Sequence, residues 1–184
     1  MTMISAERVR LRALEREDVK RFYDWVNDPE VADWINLYLP MSNADEERWF
    51  EDQLQRDKHE KPLAIEILDG ETWKLVGSCS VFSIDWVNSA GELGIMIGDK
   101  SFWNKGYGTQ VMELLIGHCF ETLNLNRAFL RLYSRNSRAV RTYQKAGFVE
   151  EGRLRQAAYR RGLYDDVVMM SVLRSEWTGR KKEH

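Results

Sequence analysis

Cysteine, proline and histidine are scarce in this chain: two, three and three residues in 184. Each scarcity removes a class of protein. Two cysteines cannot build a disulfide scaffold, and because Cys79 and Cys119 both lie in apolar stretches they are expected to be buried, reduced thiols. His59, His118 and His184 are scattered without ligand spacing, so no metal site is expected. Long apolar runs are also missing. No segment approaches the roughly 20 residues of a membrane span, and the opening M-T-M-I-S-A-E-R-V-R-L-R lacks the apolar core of a signal peptide. The expected setting is therefore the cytoplasm, with no membrane partner.

A hydrophobic content of 43% and an aromatic content of 11% suffice for one core, and the length is short for two domains. With no repeat, low-complexity stretch or linker, residues 1–184 read as one unit, with 178–184 a frayed tail. The net charge of −2 conceals an uneven distribution. Residues 1–60 hold fifteen acids against nine Lys and Arg, and residues 127–163 hold ten Lys and Arg against two acids. The basic band suits a polyanionic ligand, a solvated helix face or a nucleic acid, and the weakly acidic total argues against the last.

Val9–Arg12 alternates as a strand, after which Glu15–Val26 carries apolar residues at helical spacing. Pro29 opens a short helix toward Pro40, and Ser42 or Asn43 caps another through about Arg56. The period then changes. Leu63–Leu68, Leu75–Ile84 and Ala90–Ile97 read as a meander of strands. Gly106–Leu123 reads as a buried helix, Ala128–Tyr133 as a strand, and Ser137–Ala146 as a helix stopped by Gly147. Phe148–Glu151 and Leu163–Leu173 close the chain as strands. This order predicts an α/β (α+β) fold, a mostly antiparallel mixed sheet with one parallel region around the long helix.

The segment Ser101–Thr109, S-F-W-N-K-G-Y-G-T, joins a strand to that helix through two closely spaced glycines. A helix N-terminus leaves N–H groups without intrahelical partners, so such a loop cradles phosphate; it also serves as an ordinary tight turn. Lys105 precedes its glycine, which excludes a Walker A loop, and the third glycine of a dinucleotide fingerprint is missing.

A second block decides between turn and site. Asn136-Ser137-Arg138-Ala139-Val140-Arg141-Thr142-Tyr143-Gln144-Lys145-Ala146-Gly147-Phe148 follows a strand, and with the earlier loop it resembles the GNAT superfamily of acetyl-coenzyme A-dependent N-acetyltransferases. The opening R-L-R-A-L-E-R-E-D, the run E-L-G-I-M-I and the ending G-L-Y-D-D-V-V-M-M-S-V-L resemble the branch containing ribosomal-protein N-terminal acetyltransferases and spermidine acetyltransferases. Trp103 is a departure, because the family loop commonly has Gln or Arg three residues before its first glycine.

The resemblance implies acetyl-coenzyme A as co-substrate and a primary amine as acceptor: a protein N-terminus, or else a polyamine or other small cationic amine. A coenzyme A-binding sensor without activity is the non-catalytic alternative. Ile95, Met96 and Ile97 would bind the pantetheine arm through backbone groups. Trp103, Asn104, Lys105, Gly106, Tyr107, Gly108 and Thr109 would hold the pyrophosphate, with the Trp103 backbone N–H still able to donate. Asn136, Arg138, Ala139 and Lys145 would contact the cofactor, Asn136 being equally suited to cap its helix, and Arg141 would neighbour the phosphates. Tyr143 would protonate the leaving thiolate, and Glu92 would accept the amine proton directly or through water. A backbone N–H near Ile95 or Met96 would stabilise the oxyanion. Trp34 and Tyr38, with the acids Glu30, Asp33, Glu46 and Glu47, are the residues expected near a cationic acceptor. Whether the chain works as a homo-oligomer is left open.

Overall fold

The computed structural model describes residues 4–177. Among these, eight strands form one sheet: β1 (Ile4–Ser5), β2 (Val9–Ala13), β3 (Leu63–Asp69), β4 (Thr72–Asp85), β5 (Ala90–Ile97), β6 (Arg127–Tyr133), β7 (Val149–Arg160) and β8 (Leu163–Leu173). Their spatial order is β1-β2-β3-β4-β5-β6-β8-β7. The helices are α1 (Val19–Val26), α2 (Pro29–Ala32), α3 (Asn43–Gln55), α4 (Tyr107–Gly117) and α5 (Ser137–Lys145). All strand pairs are antiparallel except β5 and β6, which run parallel on either side of the α4 crossover. The expected mixed α/β fold is what the chain adopts.

Local chemistry sets the helix ends. Ser42 Oγ accepts the Asp45 N–H while the Asp45 carboxylate accepts the Ser42 N–H, a reciprocal cap that starts α3. Gly147, at φ +99°, stops α5 as its position implied. On one face of the sheet α4 buries Val111, Met112, Leu115 and Ile116 completely, and truncating Leu115 or Met112 to alanine costs about 2–5 kcal/mol. On the other face Phe22, Trp25 and Val31 form a smaller cluster with Trp49, Met96 and Trp103. The sheet thus separates two compartments, and β5 contributes to both. Cys79 and Cys119 are buried and free. Among the described residues no helix is long and apolar enough to cross a membrane.

Four boundaries differ from expectation. The first helix begins with a 3-10 turn over Arg16–Asp18, and the short helix at Pro29 ends at Ala32. The long helix finishes in a π turn over His118–Thr122. The penultimate strand continues past Glu151 to Arg160, on the sheet edge and almost wholly exposed. A frayed tail at 178–184 lies outside the described residues.

Candidate active site

β5 and β6 pair only from Ala90 to Glu92, opposite Arg127 to Phe129. Beyond that point β5 follows β4 as far as Ile97 and β6 follows β8 as far as Tyr133, so the two strands part. The Gly98 N–H bonds the Val76 carbonyl in β4 at 2.8 Å. By the two-residue period of a strand, Gly94 and Met96 therefore turn their backbone groups to β4, and Leu93, Ile95 and Ile97 turn theirs to the opening. Ile95 is free to bind an extended, amide-rich arm as a further strand would. Met96 is not: its backbone pairs with Ser78, and its side chain packs among the aromatics. The Met96 backbone, expected to face the cofactor, is thus taken up by β4, whereas that of Ile95 faces the opening.

At the end of β5 the chain enters the glycine loop. Gly106 is the N-cap of α4 with φ +85°, and a Cβ there would meet nothing within 4 Å. Its value is conformational, since L side chains avoid this backbone region. The first intrahelical bond runs from the Gln110 N–H to the Gly106 carbonyl at 3.3 Å, and no side chain caps this end. The amides of Tyr107, Gly108 and Thr109 consequently lie at the positive pole of the helix without intrahelical acceptors, a cradle for a pyrophosphate. Gly108 has a different role. A Cβ there would stand 3.1 Å from Thr142 Cγ2, and the neighbouring Thr109 hydroxyl donates to the Thr142 carbonyl at 3.4 Å, so the glycine lets α5 close onto α4. Tyr107 is buried against Phe102 and serves packing through its ring. Asn104 and Lys105 are exposed.

Trp103 behaves otherwise than its backbone suggested. Its N–H closes a turn onto the Lys100 carbonyl at 3.1 Å, so this amide does not serve the cradle. The indole Nε1–H instead donates to the Ile97 carbonyl at 2.7 Å, which occupies a group otherwise open to the pantetheine arm. The Arg138 guanidinium lies 3.6 Å from the centre of the same ring, and burial lowers its pKa from the ordinary value. A half-buried cation without a carboxylate partner among the described residues, stacked on the glycine loop's Trp103, is well placed for an anionic ligand.

On α5, Asn136 Oδ1 accepts the Ala139 N–H at 3.1 Å, so its carbonyl caps the helix and only its amide NH2 remains for a cofactor. Ala139 and Tyr143 pack on the main core from this helix. The Tyr143 ring meets Phe148 edge-on at 5.9 Å. Its hydroxyl has no hydrogen-bond partner among the described residues and opens to the cleft; burial pushes its pKa up to about 12, so it holds its proton at neutral pH. Arg141 and Lys145 line the same cleft.

Across the gap the Glu92 carboxylate is buried and doubly bonded to Arg131, Nε to Oε1 at 2.8 Å and Nη2 to Oε2 at 2.9 Å. Trp34 and Tyr38 line the cleft here, each beside an arginine: Arg135 lies 5.8 Å from the Trp34 ring and Arg160 4.4 Å from the Tyr38 ring. Arg160 also donates to the carbonyls of Ile35 and Leu37, and the Tyr133 hydroxyl donates to Asn36 Oδ1. These contacts pin the segment between α2 and α3 to the sheet.

The acids expected on this side are elsewhere. Glu30 pairs with Lys100 at 2.8 Å, Asp33 with Arg161 at 2.6 Å and Glu47 with Arg16 at 2.5 Å, while Glu46 is buried on α3. None lines the cleft. Much of the basic band is likewise paired, Arg127 with Glu151 and Arg153 with Glu150 among them.

One cleft of about 1050 Å³ is lined by the expected catalytic and cofactor residues except Lys105, and by Trp34 and Tyr38 but none of the four acids expected near the acceptor. Arg131, Tyr133, Asn36 and Arg160 were not foreseen. The one signal for Arg131 was a charge in the middle of an apolar strand.

Comparison with known proteins agrees with this geometry. The family model described as acetyltransferase (GNAT) domain matches residues 8–149. The uncharacterized N-acetyltransferase p20 of Bacillus licheniformis is 30% identical, over 97% of this chain and 100% of its own. The putative ribosomal N-acetyltransferase YdaF of Bacillus subtilis is 31% identical, over 95% and 96% respectively. The crystal structure of spermidine N-acetyltransferase from Vibrio cholerae in complex with CoA and spermine superposes with a TM-score of 0.83 at 26% identity, covering 93% of this chain and 98% of that one. With loop, parted strands and α5 arranged around one cleft, the chain belongs to the GNAT family of acetyl-coenzyme A-dependent N-acetyltransferases.

Proposed function

We propose that this enzyme moves acetyl directly onto a protein N-terminal α-amine, within a ternary complex and without a covalent enzyme intermediate. The observation that carries the reading is the opening between β5 and β6 with the Tyr143 hydroxyl facing it. Acetyl-coenzyme A supplies an activated thioester there. Tyr107, Gly108 and Thr109 amides hold the pyrophosphate with Arg138 beside them, and Ile95 pairs with the pantetheine arm. The amine nitrogen attacks the thioester carbonyl carbon, the Ile95 N–H stabilises the charge on its oxygen, and the carbon–sulfur bond breaks. Tyr143 gives its proton to the departing sulfur. Both thiols are unsuited to nucleophilic attack, since burial pushes Cys119 up to about 12 and Cys79 higher still.

The acceptor follows from the base. A free α-amine has a pKa of about 7.7–8.0, against about 10.4 for an alkylamine such as lysine. Glu92, the only carboxylate lining the cleft among the described residues, has both oxygens engaged by Arg131 and reaches an amine proton through water. That arrangement suits an amine of which about a tenth is already neutral at pH 7, against well under a thousandth of an alkylamine. A polyamine is the second reading, supported by the likeness to the Vibrio enzyme, and it needs a stronger base. Reduced thiols and an acetyl-coenzyme A donor fit a cytoplasmic setting. Product mass spectrometry over a peptide panel and a polyamine panel tests the reading: acetylation of peptide α-amines is expected, and modification of polyamines alone would sink it.

A further inference from the structure

We propose that Arg131 recognises the acceptor by binding a carbonyl or carboxylate oxygen carried on the carbon next to the amine-bearing one. The inference rests on the reading of amine acetylation above and adds the chemistry that selects the amine.

The Glu92–Arg131 pair is lopsided. The carboxylate side chain is 8% exposed and the guanidinium 53% exposed, so one partner is sealed in the sheet while the other looks into the cleft. Glu92 takes Nε and Nη2, and Nη1 has no partner among the described residues. Three N–H bonds therefore remain, two on Nη1 and one on Nη2, on a planar fork whose orientation the carboxylate fixes. Such a fork matches an sp2 oxygen acceptor and loses little conformational freedom on binding.

The surroundings favour the same ligand. Arg56, Arg138, Arg141 and Lys145 line the cleft along with Arg131, and Glu92, the only acid among its described lining residues, is neutralised by Arg131. A polycation would meet net positive charge with no unpaired carboxylate to receive its second ammonium group. An α-amine has the opposite character. Its own carbonyl or carboxylate oxygen lies three bonds from the nitrogen, so the amine can sit by Glu92 and Ile95 while that oxygen reaches Arg131. A peptide N-terminus and a free amino acid share this chemistry.

Arg131→Lys keeps a cation beside Glu92 but removes the free fork. Steady-state kinetics with acetyl-coenzyme A would compare a tetrapeptide with a free N-terminus, the free amino acid of its first residue, and spermidine. Calorimetry would measure tetrapeptide binding to the coenzyme A-loaded protein. The wild type is expected to favour α-amino acceptors over spermidine about tenfold or more in kcat/KM, and the variant to raise their KM about tenfold with kcat nearly unchanged. The better of the two α-amino acceptors identifies the source. Spermidine turned over as efficiently as the peptide, or a loss confined to kcat, would overturn the proposal. If peptide binds in an Arg131-dependent way and nothing is acetylated, the inference stands and the transfer reading falls; if the peptide is acetylated with the same KM by both proteins, the transfer reading stands and the inference falls. Should the lysine variant misfold, Glu92→Gln with Arg131→Met removes both charges together, and weaker peptide binding by calorimetry is expected; undiminished binding would overturn the proposal.

Discussion

Arg138 stacks on Trp103 at 3.6 Å while the indole N–H of Trp103 holds the Ile97 carbonyl. A residue from the α5 end of the cleft and one from the glycine loop thus meet beside the proposed phosphate seat, where the aromatic ring supports the cation. Trp103→Ala is expected to raise the KM for acetyl-coenzyme A about 5- to 30-fold, the value of a desolvated cation–π contact. Trp103→Phe keeps a ring face and should lose less. Equal losses would assign the effect to the Ile97 bond instead.

Tyr143→Phe should lower kcat about 100-fold and leave the KM for acetyl-coenzyme A within about twofold, since only the proton donor is removed. The ring contact with Phe148 survives in the variant. Stopped-flow or steady-state rates decide the matter, and unchanged turnover would take Tyr143 out of the acid role.

The two loop glycines should fail differently. Gly106→Ala places a side chain in open space but strains a left-handed backbone, which costs about 1–2 kcal/mol in stability and disturbs the cradle. Gly108→Val has no such strain at φ but collides with Thr142. Its expected signature is displacement of α5, read as lower kcat from a misplaced Tyr143 along with a lower melting temperature. Identical profiles for the two variants would contradict this division.

Glu46 is 3% exposed on α3, the helix that packs on α1, and has no cationic partner among the described residues; burial pushes its carboxyl up to about 7. The folded state therefore holds a proton that the unfolded chain releases near pH 4.3. Its contribution to stability is fully present below that pH and is lost as pH rises toward 7. Glu46→Gln should flatten this slope and raise the melting temperature at pH 8 by about 4 °C. Parallel melting curves for wild type and variant from pH 5 to 8 would refute the assignment.

Much of the architecture was legible because burial writes itself into periodicity. β5, α4 and β8 alternate or repeat as their faces require, and their bounds fall close to expectation. β7 was cut short because Gly152–Gln156 lies exposed on the sheet edge, where no core imposes a pattern; two register shifts and the positive φ of Gln156 interrupt it further. The site shows the same split. Gly106, Gly108 and Tyr143 carry their chemistry within a local motif. Glu92 and Arg131 are 39 residues apart on strands that become neighbours only in the fold, so their pairing has no local signal. The acids of the N-terminal helices misled for the same reason: Asp33 finds Arg161 more than a hundred residues away.

The parting of β5 from β6 also bears on which substitutions the enzyme tolerates. Under the proposed mechanism Ile95 would meet the cofactor through main-chain atoms, and its side chain packs against the core, so exchange for valine should preserve recognition. Proline is the exception. It would remove the N–H assigned to the arm and the oxyanion in the proposed mechanism, and a change harmless in many edge strands is here expected to inactivate.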